Sequence, residues 1–343
     1  MKIAIMTDDP KDISNLITSA TWSGDKEQAA RKLEFTLIQD DRDPNIPVIE
    51  LANGNLVYGG DNDGKAVFIG KIYNLEKDRA KGEVRVTCYD HLYILNKSKT
   101  SKKYSNALPE DIAVEICGEM GIKTGNIAKT GVQVSFLANG KSGYQIIQGA
   151  YTEAHKKNQK NYQCIMNGEV LDVIEKGTLI EGYALDSSAN MTDSIYKESI
   201  ENIVNQVLVV DDSGNGTDTI KDEESQSEYG IAIQAVYKLE KDKDVAEEAA
   251  DLFKKPDREG NVTALGDYRV ISGYSIAIKD ALFTGSFWIK SDVHTFKGGF
   301  HEMKLSLEFE NIMDEVEVEH EKPQKSTSKK NKSGRSRKDN SES

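Results

Sequence analysis

The sequence predicts an α+β protein that is mainly β: two antiparallel β-barrel domains, a small α+β module inserted between them, and a flexible C-terminal tail. Three observations carry this. Apolar residues alternate with period two at both ends of the chain, the period becomes helical in between, and an internal repeat relates the two β regions.

The first hundred residues alternate. Leu33, Phe35 and Leu37 are separated by Glu34 and Thr36, and the runs Ala66 to Tyr73 and Glu83 to Tyr89 continue the strand character. Asn53-Gly54 and Asp61 to Gly64 supply turns. Residues 1–98 are therefore expected to form the first barrel. At Pro109 the period changes: Ile112, Ile116 and Met120 fall at i, i+4 and i+8, and Gly121 stops the helix. A second helix is expected from about Gly143 to His155, with Tyr144, Ile147, Tyr151 and Ala154 on one face. A hairpin follows, Tyr162 to Met166 and Glu169 to Ile174 around Asn167-Gly168. These elements define the α+β module, 99–177.

From Ile200 the pattern returns to strand with Ile203, Val207 and Val209; Asp211 to Ser227 is expected as a long loop, and Tyr229 to Leu239 as strand. Asp244 and Glu247 form a capping box for a helix bearing Ala246, Ala249, Ala250 and Phe253, ended by Pro256, so a helical excursion is expected near 242–266. Met303, Leu305, Leu307 and Phe309 then alternate with Lys304, Ser306, Glu308 and Glu310. The second barrel is placed at 178–316. Beyond it, 317–343 is Lys/Ser-rich and buries too little apolar area to offset its ordering entropy, so a flexible tail is expected.

Val67 to Asp78 overlays Leu282 to Val293, matching an aromatic, a glycine and the following strand. In both copies a glycine turn, Gly82 or Gly298-Gly299, leads to a long alternating strand. Two related barrels in one chain suit a ring in which each subunit fills two pseudo-equivalent positions.

The chain has 343 residues and a formal net charge of −13, more than one core usually serves. Residues 322–343 carry eight Lys or Arg against Asp339 and Glu342, which leaves the remainder at −19. So acidic a body repels nucleic-acid phosphates, and sequence-specific DNA binding by it is not expected. Cys88, Cys117 and Cys164 are widely spaced, with no CxxC pair, and read as buried reduced residues. No apolar run reaches the roughly 18 residues that span a bilayer, and the N-terminus lacks a signal-peptide core, so a soluble chain with no membrane association is expected.

The stretch Thr284 to Met313, above all Ser291-Asp292-Val293-His294 followed by its alternating strand, resembles the C-terminal signature of XkdQ/YqbQ-type phage tail baseplate hub proteins. That family groups with phage late control protein D and the T-even central hub, and with the hub part of type VI secretion spikes. Asn202 to Val209, Leu108 to Ile112 and Tyr268 to Ile278 are also similar, so the likeness spans the chain to about residue 316. The resemblance implies a homotrimer of two tube-type barrels per subunit. Such a ring would adapt a hexameric tail tube protein above to a trimeric spike protein below, among other baseplate proteins, with DNA or tape-measure protein passing through the lumen. It implies a structural role without catalysis or cofactor, in the baseplate of a contractile phage tail or tail-like bacteriocin assembled in the bacterial host cytoplasm.

Chemical motifs are sparse. Asp211, Ser213, Asn215 and Asp222 stand at positions 1, 3, 5 and 12 of a calcium-loop spacing with Gly216 at 6. Asp222 replaces the usual bidentate Glu and Asp218 an apolar residue, so an exposed acidic hairpin loop is the preferred reading. His301-Glu302 lacks a second His at i+4, and His294 and His301 read as hydrogen-bonding hairpin residues; His91, His155 and His320 share no spacing with them. Neither a GxSxG elbow nor a phosphate-binding GxxxxGK[ST] occurs. The adjacent acids Asp40-Asp41 and Glu223-Glu224 carry no catalytic signal by themselves. The alternative to a structural hub is a tail-associated peptidoglycan hydrolase component, for which residues after 316 are too few and too polar to fold as a lytic domain.

Overall fold

The computed structural model describes residues 1–6, 10–239 and 244–320. The first half is a sheet of strands Lys2–Met6, Ile17–Asp25, Gln28–Ile38, Leu56–Gly60, Ala66–Asp78 and Glu83–Asp90. The expected alternation sets its core, with Leu33, Phe35 and Leu37 buried against Ile3, Ile5, Ile72 and Val86. Gly70 leaves no room for a side chain, since a Cβ there would stand 2.3 Å from the Tyr89 carbonyl oxygen.

The second half repeats the first strand for strand. Strands Leu179–Asp186, Met191–Ser199, Asp257–Leu265, Ser275–Lys279, Thr284–Lys297 and Phe300–Glu308 take the same spatial order, in the same chain order, as the first six. The cross-sheet row Trp22–Leu33–Cys88–Ile72 is matched by Tyr196–Gly260–Leu307–Ile289. Just beyond each row the same pair of hydrogen bonds recurs: Gly54 N–H to Ile72 O with Ile72 N–H to Asn55 O, and Gly273 N–H to Ile289 O with Ile289 N–H to Tyr274 O. A bulge follows each isoleucine, between Ile72 and Asn74 and between Ile289 and Ser291. One pairing differs. Lys2–Met6 runs antiparallel to Leu56–Gly60, whereas Leu179–Asp186 runs parallel to Ser275–Lys279. The repeat legible in two strands thus extends to six, but its register differs by two residues from the sequence overlay, which sets Ile72 over Phe287 where the sheet sets it over Ile289.

Among the described residues neither half is found as a closed barrel. The halves join edge to edge in one 13-stranded sheet that begins at Met191–Ser199 and ends at the short strand Lys11–Asp12, and among the described residues this path does not close. The join is made by Thr284–Lys297, which is long enough to serve both halves. Their apolar cores stay distinct, one around Leu33 and Phe35 and the other around Ile276, Ile289 and Leu305.

The module packs helices Pro109–Glu119 and Gly143–Asn158 on strands Tyr162–Asn167 and Val170–Glu175, as the periodicity predicts. Ser142 and Gln145 close a full capping box on the second helix. Strands Lys99–Ala107, Lys123–Ile127 and Val134–Ser142 are additional; the first reads as polar, because only Tyr104 within it is buried.

Residues 200–255 form an excursion placed where the first half has only the tight turn between Asp25 and Gln28. Two expectations are corrected there. The loop expected at Asp211 to Ser227 contains strand Gly216–Lys221 and helix Glu223–Tyr229, because Ile220 covers the small core of Val207 and Val209. Among the described residues, the helical excursion expected near 242–266 is helical only over Val245–Ala250; past Pro256, Asp257–Leu265 is a strand whose Gly260, Val262 and Ala264 face inward. Asp244 accepts from the Ala246 N–H, while the Glu247 side of the expected capping box and tail residues 321–343 lie outside what is described. No described helix is long and apolar enough to cross a membrane.

Candidate functional site: a buried polar seam between the half-sheets

After its bulge, strand Thr284–Lys297 exchanges one neighbour for another on the same edge. Thr284 to Trp288 pair with Ser275–Lys279, and Ser291 to Lys297 pair with Asp25 to Ser19 of the first half. Alternation turns Asp292, His294 and Phe296 inward and leaves Val293 37% exposed. The Ser291-to-His294 signature is therefore the join itself.

Asp292 is fully buried. It accepts two hydrogen bonds from the Arg31 guanidinium, one of them Nη1 to Oδ1 at 2.9 Å, and one from the Ser272 N–H at 2.7 Å. Burial alone would raise its pKa, but the Arg31 charge together with hydrogen bonds from His294 and Arg31 outweighs that and holds the carboxyl well below the usual range. Arg31 lies 4.1 Å above the Trp22 ring, a favourable placement for a desolvated cation. Gly24 makes room for it, since a Cβ there would stand 2.2 Å from Nη1. Beneath, the Arg31 N–H donates to buried Asp90, which also receives the Leu92 N–H. Burial pushes the Asp90 carboxyl up to about 7 against these bonds and the Arg31 charge.

Two histidines continue the network. His294 Nε2 lies 2.9 Å from the Val270 carbonyl oxygen, which can only accept, and so donates to it. His301 Nε2 stands 2.9 Å from His294 Nδ1, and the two ring nitrogens share a hydrogen bond. The His301 ring packs against Phe296 and Tyr268. Burial, then the neighbouring His294, draws the His301 pKa down to about 4, with Asp267 opposing. A second joint lies at the far end of the seam, where Glu308 accepts from Lys26 of the first half and, at 3.0 Å, from buried Lys176 at the end of the module. Lys176 also donates to the Ile312 carbonyl. One carboxylate thus ties three regions.

The calcium-spaced residues are not brought together. Asp211, Ser213 and Asn215 share a tight turn in which Asp211 accepts from the Ser213 and Asn215 N–H groups, both at 2.8 Å. Asp222 lies past strand Gly216–Lys221, where it caps the next helix through the Ser225 N–H. Six residues of strand separate the two by ~20 Å. Among the described residues no group of three or more His, Cys, Asp or Glu could hold a metal ion. Asp40 forks with Arg42, and Glu223-Glu224 occupy the first turn of a helix. The three cysteines are buried and unbonded, and burial raises each thiol above its ordinary value.

Arg31 went unnoticed in the sequence although it carries a signal: it shares the inward parity of Leu33, Phe35 and Leu37. Asp292 and His294 share that of Phe296. Charged groups at core parity on two strands mark a buried polar contact, but their pairing spans 261 positions and no local pattern reports it.

The YQBQ-like family matches residues 20–308, which include Arg31, Asp292 and both histidines of the seam. The chain belongs to this family. This YQBQ-like chain is 25% identical over 311 residues to the phage-like element PBSX protein XkdQ of Bacillus subtilis, covering 87% of this chain and 94% of that one. In fold it is similar to the 43 kDa tail protein of prophage MuSo2 from Shewanella oneidensis, with TM-score 0.67 at 12% identity, covering 90% of this chain and 98% of that one. It is also similar to the E. coli c3393 protein, a type VI secretion component with structural similarity to the T4 tail proteins gp27 and gp5, at TM-score 0.52 and 10% identity, covering 85% of this chain and 73% of that one. The YQBQ-like fold is thus shared with phage tail proteins.

Proposed function

We propose that this chain is the structural hub of a contractile tail baseplate, a homotrimeric ring between a hexameric tail tube and a trimeric spike. The observation that carries the reading is the six-strand repeat. A chain that presents the same sheet twice fills two near-equivalent positions, so three copies supply six, which is what a three-fold to six-fold adaptor requires. The name of its relative XkdQ, a protein of a phage-like element, agrees with this, as does a fold shared with tail proteins. In this reading the two tube-type barrels, about 1–98 and 178–316, are completed only between copies, and the open sheet of one chain is an arc of the ring. The module at 99–177 and the excursion then lie outside the ring, facing other baseplate proteins, and DNA or tape-measure protein passes through the lumen.

The site agrees with a structural role, because its charged groups satisfy one another across the seam. Multi-angle light scattering is expected to give three times the chain mass, and imaging of assembled tails to place the chain at the tube–spike junction. A strict monomer at high concentration, with no ring of this chain in the assembled tail, would refute the proposal.

A further inference from the structure

The repeat makes the seam inside the chain a template for a contact between chains. Within the chain, the outer edge of Ile17–Asp25 pairs with the stretch of Thr284–Lys297 that follows the bulge. The counterpart of the first edge is Met191–Ser199, an end strand whose other edge has no strand beside it among the described residues. The counterpart of the second is Asn74 to Asp78, which follows the matching bulge in Ala66–Asp78; its pairing with Leu56–Gly60 stops at Lys71. Both halves therefore leave open the edge that the seam closes once.

The geometry points to pairing of Met191–Ser199 with Asn74 to Asp78 of a second copy, antiparallel and in the register of the internal seam. This rests on the ring reading above and names its contact. The equivalent rows fix the partners. Trp22 corresponds to Tyr196 and Ile72 to Ile289, so the internal pairs Asp25–Ser291, Gly24–Asp292, Ser23–Val293, Trp22–His294 and Thr21–Thr295 become Ser199–Asn74, Glu198–Leu75, Lys197–Glu76, Tyr196–Lys77 and Ile195–Asp78.

The register is also complementary in charge. Lys197 falls opposite Glu76, whose carboxylate already meets Arg85 at 3.1 Å, so the three would form a cross-strand ladder. Lys77 falls opposite the Tyr196 ring, and no like charges stand face to face. The free edge also carries the apolar surface such pairing would cover: Ile195 is 56% and Tyr196 36% exposed. Long open edges of this kind are ready templates for another strand. The external seam would differ from the internal one in lacking a buried ion pair, since Leu75 replaces Asp292, as suits a contact formed during assembly.

The test is oxidative cross-linking of full-length chains. Chains carrying Lys197→Cys are mixed with chains carrying Glu76→Cys, with Glu198→Cys plus Glu76→Cys as the control one residue out of register. The altered side chains are exposed and the native cysteines are buried. Because directly opposed residues lie about 5 Å apart and a one-residue slip points the side chain to the other face, the 197–76 mixture is expected to cross-link at least ~10-fold faster than the control. Light scattering of the unmodified chain is run in parallel. An oligomer that does not cross-link at 197–76, or does so no faster than the control, overturns this contact and leaves the ring reading standing. A monomer both in solution and in assembled tails removes the ring reading and this contact with it.

Discussion

Replacing Asp292 by Asn isolates what the seam contributes. The side chain keeps its shape and its acceptor for the Ser272 N–H but loses the charge that neutralises Arg31, which is 6% exposed and held in place by Trp22 and Gly24. A buried cation left without its partner costs about 3–5 kcal/mol, a large share of the roughly 5–15 kcal/mol that holds a protein folded. The double variant Arg31→Met, Asp292→Leu removes both charges. It leaves chiefly the Ser272 N–H unsatisfied, at about 1–3 kcal/mol, and is expected to be more stable than Asp292→Asn. Equilibrium urea unfolding at fixed protein concentration, followed by tryptophan fluorescence, reads both values. A loss below about 1 kcal/mol for Asp292→Asn, or a double variant as unstable as the single, would refute the account of the seam as a mutually neutralised buried pair.

Acid should weaken the same region. His301 has its pKa lowered from 6.5 to about 4 in the fold, so its contribution is fully present above pH 6.5 and is lost as pH falls towards 4. At full burial that interval corresponds to about 3 kcal/mol, and to about half of that on a partly solvated ring. Melting temperatures measured from pH 7.5 to 4.5 should fall more steeply for the native chain than for His301→Phe, and equal slopes would count against the assignment. Ser142→Ala removes the acceptor of the capping box on Gly143–Asn158 and should cost about 1 kcal/mol in urea unfolding. Gly70→Ala forces a methyl against the Tyr89 carbonyl and should cost about 1–3 kcal/mol. Calorimetric titration with calcium to millimolar concentration should release no binding heat, because Asp222 cannot reach the Asp211 turn; a one-site isotherm would contradict that placement.

The sequence discloses best what is local. The helix at Pro109, the Asn167-Gly168 hairpin and the last alternating strand are legible because their signals lie within a dozen residues. The strand Lys99–Ala107 is not, since its burial depends on a partner strand and on the helices behind it. Asp257–Leu265 was hidden by a glycine at an inward position, which removes the apolar mark that alternation relies on. The repeat was visible in one hairpin and invisible in its other four strands, where order and register are retained but side chains are not, Trp22 and Leu33 having become Tyr196 and Gly260. As for the seam, the signature Ser291 to His294 drew notice by family likeness, but its partner Arg31 is set by tertiary pairing.

The bulge after Ile289 has a consequence beyond the turn it makes. A strand that changes neighbours along one edge can slide past the new neighbour unless something indexes its position, and backbone ladders are indifferent to which residue they match. Arg31 and Asp292 provide the index: a slip by one residue would put Ser291 or Val293, according to its direction, against the guanidinium and turn Asp292 to the other face. The pair then works as a keyed joint whose value is alignment, setting the angle at which one half meets the next. In a ring, a small error in that angle is repeated at every subunit and decides whether the circle shuts.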